Sequence, residues 1–369
     1  MRYDYNTLPH IGIRELSPYV PGKSIEEVAM EFGISDIIKL ASNENAFGCS
    51  PNVTEALAQL TPALLSRYPT SAHHPLRQQL SEFLKITPSM LSIANGSDSL
   101  FGLLLTCFAL HQGKHMLTHD YAFSSYEIQA HTLGIQVKKS PTKDWKVDID
   151  ALIAACTPKT ALIFIANPNN PTGLMIDLQE IVHLLDHIPE TTLVVLDEAY
   201  YEFVKPLPDT IALLKRYHNL VITRTFSKAY GLAGLRLGYA IADPQITDLI
   251  QKIHLPFTAN IAAMTAACAA LADQAFVQYT QQTIETNRLN MAQQLDDRGI
   301  HYLPSHANFL TIDCGQDGMP IAKQLQRHGI IVRPLHPYGM PSYLRVTIGT
   351  TEQNQRFLQA FFNIIFQGK

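Results

Sequence analysis

Cysteine is sparse and scattered. The five in 369 residues, Cys49, Cys107, Cys156, Cys268 and Cys314, form no C-x-x-C pair. That argues against a zinc site or a disulfide framework and fits a reducing compartment. Charge is thin as well, at 16% of residues with a net charge of −4. Both signs are interspersed and no basic face stands out, which argues against nucleic acid as a partner. No apolar run approaches the length of a membrane span. The opening Met1-Arg2-Tyr3-Asp4-Tyr5-Asn6 carries an acid and lacks the apolar core of a signal peptide. Cytoplasmic residence is the expectation. Internal repeats and low-complexity tracts are also missing.

What is present is apolar substance. Hydrophobic residues make up 46% of the chain, enough for a large core, and the length suggests two domains. From about residue 50 the pattern alternates helical segments with short apolar runs. Helices are expected over 24–32, 51–60, 75–84, 100–110, 124–133, 149–155, 178–185, 259–271, 276–295, 319–328 and 353–366. Strands are expected over 37–40, 91–94, 115–118, 135–139, 161–166, 193–196, 220–223, 237–242, 307–312, 330–333 and 343–348. Continuous apolar strands between helices mark a mostly parallel central sheet with helices on both faces, an α/β fold. The C-terminal third reads as a smaller α+β domain. The expected division is 1–16 as an N-terminal arm, 17–48 with 270–369 as the small domain, and 49–269 as the large one. The arm lies on a partner subunit or is a frayed end.

In such a sheet, sites lie at the carboxyl ends of the strands, and the polar motifs fall there. After 220–223 comes Ser227-Lys228-Ala229-Tyr230-Gly231-Leu232-Ala233-Gly234-Leu235-Arg236. A lysine among small, apolar neighbours is a candidate for a lowered pKa, because desolvation disfavours the ammonium. A neutral amine attacks carbonyls, as Schiff-base lysines do. Thr225, Ser227 and the forked guanidinium of Arg236 can close around a phosphate. Amine and phosphate cradle together point to pyridoxal phosphate. A lone lysine reads as surface; the ordered motif around Lys228 reads as chemistry.

Three further motifs follow strands. Asp197, in Leu196-Asp197-Glu198-Ala199-Tyr200, is an acid at the end of an apolar strand. A buried carboxylate needs a partner; a protonated pyridine nitrogen would serve, and a helix N-cap is the other reading. Tyr200 can reach the phenolic oxygen of such a ring. Asn167-Pro168-Asn169-Asn170-Pro171-Thr172-Gly173 fixes a rigid turn. It is either a plain turn or a mount that points an amide, Asn170, at a ligand. Asn95-Gly96-Ser97-Asp98-Ser99 opens a helix, whose free N–H groups suit an anion. Ser97 and the backbone N–H of Asp98 are the phosphate candidates, with the Asp98 carboxylate left to local capping; a plain N-cap is the alternative. Phe123 either stacks on a flat ring or belongs to the core. Arg333 and Arg345 each stand in an apolar strand, where a guanidinium needs an anionic partner: a substrate anion, or structural ion pairs.

Together these motifs resemble the class II aminotransferases of fold type I, which depend on pyridoxal phosphate. The likeness runs from about Leu16 to the end. Within that superfamily the chain is most similar to the histidinol-phosphate aminotransferases. The carrying features are Leu16-Ser17-Pro18-Tyr19, Leu40-Ala41-Ser42-Asn43-Glu44-Asn45, Arg67-Tyr68-Pro69, the strand with Arg333, and Leu344-Arg345-Val346-Thr347-Ile348-Gly349-Thr350. The resemblance implies that Lys228 holds the cofactor and moves the proton. Asp197 would pair with the ring nitrogen, and Asn170 and Tyr200 with the ring oxygen. Ser97, Asp98, Thr225, Ser227 and Arg236 would surround the phosphate. Phe123 falls where the family commonly stacks a tyrosine. Tyr68 would reach the neighbouring subunit's phosphate, implying a homodimer with shared sites. Tyr19, Asn43, Arg333 and Arg345 would line the substrate side. The implied reaction takes histidinol phosphate and 2-oxoglutarate to imidazole-acetol phosphate and glutamate, in histidine biosynthesis. An aromatic amino-acid aminotransferase and an amino-acid-phosphate decarboxylase of the same fold are the neighbouring possibilities. Two positions depart from the family: Ser99 stands where an acid is frequent, and Asp120-Tyr121 where a proline precedes the stacking position.

Overall fold

A computed structural model describes residues 4–16, 22–69 and 73–366. Its centre is a seven-stranded sheet. Across the sheet the strands run Leu91–Ala94, Gly238–Ala242, Leu220–Thr225, Leu193–Asp197, Thr160–Ala166, His115–His119 and Gln136–Ser140. All but one point the same way; Gly238–Ala242 runs antiparallel to both neighbours. The reason is chain length. The connection over 226–237 holds only a 3-10 turn, Ala233–Leu235, and lacks the helix of a parallel crossover. The strand therefore comes straight back.

Strands buried along their whole length demand cover on both faces, and they have it. In Thr160–Ala166, Leu162, Phe164 and Ala166 enter one apolar cluster while Ile163 and Ile165 enter the other. This is the two-residue pleat period. Helices Ser97–Phe108, Ser124–Thr132 and Pro244–Ile253 cover the first face. Helices Pro51–Ala58, Pro75–Leu84, Leu178–His187 and Ile261–Ala272 contribute to the second. Pro244–Ile253 was not among the expected helices.

A second, antiparallel sheet of four strands follows in the C-terminal part: Tyr302–Leu303, Phe309–Asp313, Met340–Thr347 and Arg333–Leu335. Helices Gly318–Arg327 and Thr351–Phe366 accompany it. The expected strand 330–333 divides in two. Ile330–Ile331 pairs in parallel with Ile38–Lys39, and Arg333–Leu335 joins the four-stranded sheet. The pairing with 38–39 carries the segment after Leu40 to the edge of the central sheet. The capping box expected at Ser24 is formed, with Ser24 and Glu27 each bonded to the other's backbone N–H.

Residues 10–14 touch the body of their own chain. Helix Ile11–Arg14 packs on Ser124–Thr132, and His10 Nε2 is 3.1 Å from the carbonyl of Thr132. The motif Leu16-Ser17-Pro18-Tyr19 lies largely outside the described residues. Among the described residues no single helix is long and apolar enough to cross a membrane.

Candidate active site

The carboxyl ends of Leu91–Ala94, Thr160–Ala166, Leu193–Asp197 and Leu220–Thr225 share one edge of the central sheet. A cleft of about 410 Å³ opens there, closed from the far side by the segment 41–44 and the four-stranded sheet. Ser97, Asp98, Phe123, Asn170, Asp197, Tyr200, Thr225, Ser227, Lys228 and Arg236 all line it, with Asn43, Arg333 and Arg345. Of the expected residues that are described, Tyr68 is not in it. Tyr68 is 81% exposed and stacks on Phe257 with ring centres 4.8 Å apart. Tyr19 lies outside the described residues.

Lys228 sits in a loop closed on itself, with Phe226 N–H bonded to the Leu237 carbonyl and Leu232 N–H to that of Phe226. Its amine donates to the Ser42 carbonyl at 3.1 Å. Burial, and after it the charge of Arg345, pull its pKa down to about 8. The lowered pKa expected from the neighbouring small residues is therefore present.

Asp197 is buried at the end of its strand. Tyr126 donates to its Oδ2 at 2.6 Å and Thr223 to its Oδ1 at 3.2 Å. Burial pushes its pKa up to about 6, against the pull of those hydrogen bonds. Tyr200 accepts from Asn43 Nδ2 at 2.9 Å, and burial pushes its phenol up to about 12.

The turn 167–173 spends two of its asparagines on itself. Asn167 exchanges hydrogen bonds with Ile176, and Asn169 donates to Tyr121 and Thr172. Asn170 is the one turned into the cleft, where its Oδ1 accepts from Arg345 Nη1 at 2.5 Å.

An anion cradle lies opposite. Helix Ser97–Phe108 begins without a side-chain cap, so its first N–H groups face the cleft uncommitted to a cap. Ser227 N–H donates to Thr225 Oγ1 at 3.0 Å, and Arg236 Nη1 lies 3.4 Å from Ser227 Oγ. Glycine makes the convergence possible. A Cβ on Gly96 would stand 2.7 Å from Arg236 Nη2, and one on Gly238 would stand 2.5 Å from the Ser97 nitrogen. The Asp98 carboxylate does not cap the helix as expected. It lies 3.7 Å from Arg236 Nη2.

Arg345 is a further cation of the cleft. It is buried, donates to Asn170 and to the Ala41 carbonyl, and leaves its buried Nε without a hydrogen-bond partner among the described residues. An orphaned guanidinium donor in a cleft suits an incoming anion.

Pyridoxal phosphate passes the test these residues set. The uncapped helix start with Thr225, Ser227 and Arg236 suits its phosphate, the buried Asp197 its ring nitrogen, and the amine of Lys228 its aldehyde. Three contributors were not read from sequence. Tyr126 is three residues after Phe123 on one helix turn, a spacing that could have flagged it. Tyr338 lines the cleft from the C-terminal part, its Oη 3.3 Å from Ser124 Oγ. The Ser42 carbonyl carries no sequence signal at all.

The family model for aminotransferase class I and II matches residues 35–361. The chain is 52% identical to histidinol-phosphate aminotransferase 2 of Legionella pneumophila (strain Lens), covering 98% of this chain and 99% of that one. It is 42% identical to histidinol-phosphate aminotransferase 2 of Haemophilus influenzae (strain ATCC 51907 / DSM 11121 / KW20 / Rd), again over 98% and 99%. The crystal structure of histidinol-phosphate aminotransferase from Sinorhizobium meliloti, in complex with pyridoxal-5'-phosphate, superposes with a TM-score of 0.89 at 29% identity. That likeness covers 98% of this chain and 99% of that one.

Proposed function

This chain belongs to the class I and II aminotransferases, as a pyridoxal-phosphate-dependent enzyme, and we propose that it moves the amino group of histidinol phosphate to 2-oxoglutarate. The products are imidazole-acetol phosphate and glutamate, which places the enzyme in histidine biosynthesis. The observation that carries this reading is the convergence of a low-pKa amine at Lys228, a buried acid at Asp197 and the arginine pair 333 and 345 on one cleft.

When bound, pyridoxal phosphate supplies an aldehyde that takes an amine covalently and a ring that draws electrons from the carbon beside it. Ser97, the Asp98 backbone N–H, Thr225, Ser227 and Arg236 bind its phosphate. Asp197 holds a proton at the ring nitrogen, and Asn170 and Tyr200 orient the ring oxygen. Phe123 covers a ring face. With the cofactor bound, Lys228 would take the proton from the substrate Cα and return it to the carbon two bonds away, as general base and then acid. Its lowered pKa leaves roughly a tenth of the free amine neutral near pH 7, where an ordinary lysine would be almost wholly charged. Arg333 and Arg345 grip the anionic end of each substrate, phosphate in one half-reaction and carboxylate in the other. Asn43 and Tyr19 complete the substrate side. Tyr68, exposed on its own subunit, reaches the phosphate in a neighbouring copy, so the working unit is a homodimer with shared sites.

Steady-state kinetics test this with histidinol phosphate and phenylalanine as donors, each with 2-oxoglutarate. The expected result is a kcat/KM for histidinol phosphate at least about tenfold above that for phenylalanine, the effect of one well-placed anion contact. A preference for phenylalanine, or release of carbon dioxide in place of amino transfer, would replace the substrate reading while leaving the site intact.

A further inference from the structure

Tyr126 is a fully enclosed aromatic beside the cleft, and none of the roles above uses it. Its side chain is fully buried. Phe101 meets it edge-on at 4.9 Å, Phe123 edge-on at 5.6 Å, and Phe164 stacks on it at 5.0 Å. Three rings hold the phenol in place, and its hydroxyl donates to Oδ2 of Asp197 at 2.6 Å. Burial and the neighbouring carboxylate drive this phenol's pKa far up, so it is a donor at every working pH.

Asp197 receives one side-chain hydrogen bond on each oxygen, and the one from Tyr126 is the shorter. A donor to a carboxylate stabilises the ionised form. The other groups acting on this acid are few. Thr223 and the Ala199 backbone N–H favour the ion; burial and the charge of Asp98, at the start of its own helix, favour the neutral acid. Tyr200 faces it from the following turn. Burial raises the basicity of Asp197, and the Tyr126 hydroxyl is the foremost group opposing it.

We infer that Tyr126 is a positioning residue for amino transfer: its hydroxyl lowers the basicity of Asp197, so that the proton they face stays on the cofactor's ring nitrogen. The inference rests on the pairing of Asp197 with that nitrogen. A neutral ring is a poorer electron sink, so the consequence falls on turnover more than on binding. One helix then serves the cofactor twice, with Phe123 at its N-cap and Tyr126 one turn on.

The test loads the enzyme with pyridoxal phosphate labelled with 15N in the ring. The nitrogen shift and the low-field proton signal of the ring N–H are then read at pH 7.5. In Tyr126→Phe the nitrogen should move toward its unprotonated position and the proton signal downfield, as the carboxylate becomes the stronger acceptor. Turnover should fall about tenfold with KM little changed, the worth of one charge-assisted hydrogen bond. Should Tyr126→Phe fail to fold, 3-fluorotyrosine placed at 126 keeps the shape and strengthens the donor, and the proton signal should move upfield. Phe164→Leu, which loosens the box without removing a donor, should leave both signals in place. Unmoved signals in the Tyr126 proteins, or an equal shift in Phe164→Leu, would overturn the inference. Asp197→Asn separates the two claims: if it too leaves the signals unmoved, the pairing of Asp197 with the ring is what fails.

Discussion

Arg333 and Arg345 stand directly opposite each other in register, on neighbouring antiparallel strands, and both face the cleft. Like charges at such positions repel and weaken a sheet. Arg345 keeps a buried Nε without a hydrogen-bond partner among the described residues, and an incoming phosphate or carboxylate would give it one. Arg345→Ala is expected to raise KM for 2-oxoglutarate on the order of 100-fold, from the loss of a two-pronged charge-assisted contact. Arg345→Lys should recover little of it, because an ammonium cannot make the forked contact. Initial-rate kinetics on both variants give the answer; a KM within twofold of wild type in Arg345→Ala would remove Arg345 from the substrate side.

The amine of Lys228 should titrate early. With its pKa near 8, capture of pyridoxal phosphate by the cofactor-free protein should speed up as pH rises and level off above about 8. Arg345 contributes to that low value, so Arg345→Ala should move the midpoint upward. Stopped-flow absorbance across pH 6 to 10 measures both. A midpoint at the ordinary lysine value would contradict the desolvated setting of the amine.

Asp197 should cost the empty protein stability. Its folded pKa is raised above its unfolded value, so the folded state binds more protons between roughly pH 4 and 6. Stability therefore falls as pH rises through that window, by roughly 3 kcal/mol for a two-unit shift. Asp197→Asn should melt higher than wild type at pH 8 without cofactor, with the gain shrinking toward pH 4. Thermal melts of both proteins at several pH values decide it; a lower melting temperature for the variant at pH 8 would contradict the strained carboxylate.

Tyr68 offers a test of shared sites. Co-expressed Lys228→Ala and Tyr68→Ala chains, each inactive or weak alone, should form mixed dimers with one intact site. Random pairing predicts recovery of about a quarter of the wild-type activity. Activity no higher than the sum of the separate variants would mean that Tyr68 serves its own subunit or neither.

Most of the sheet could be read from apolar runs because strands buried on both faces, such as Thr160–Ala166 and Leu193–Asp197, leave no ambiguity of period. The helix Pro244–Ile253 went unread although Asp243 caps it and Pro244 opens it, a signal of the readable kind. The reversal of Gly238–Ala242 follows from a connection over 226–237 without a crossover helix, whereas the division of 330–335 depends on which strands lie alongside, and no local pattern encodes that. At the site, residues in tight motifs were legible: Lys228, Asp197 and Asn170 each follow a strand and stand among punctuating residues. Tyr126 went unread although its spacing from Phe123 was a usable signal; Tyr338 was not legible, because it acts across a long stretch of chain and its neighbours in sequence give no hint of its partner. The Asp98 carboxylate was assigned to capping because its competitor, Arg236, is 138 residues away.

The most direct measurement of the central claim is reduction of the loaded enzyme with borohydride, followed by digestion and mass spectrometry. Reduction fixes the bond between cofactor and protein. The expected result is a single pyridoxyl-phosphate adduct on the peptide containing Lys228. An adduct on another lysine, or none, would contradict it.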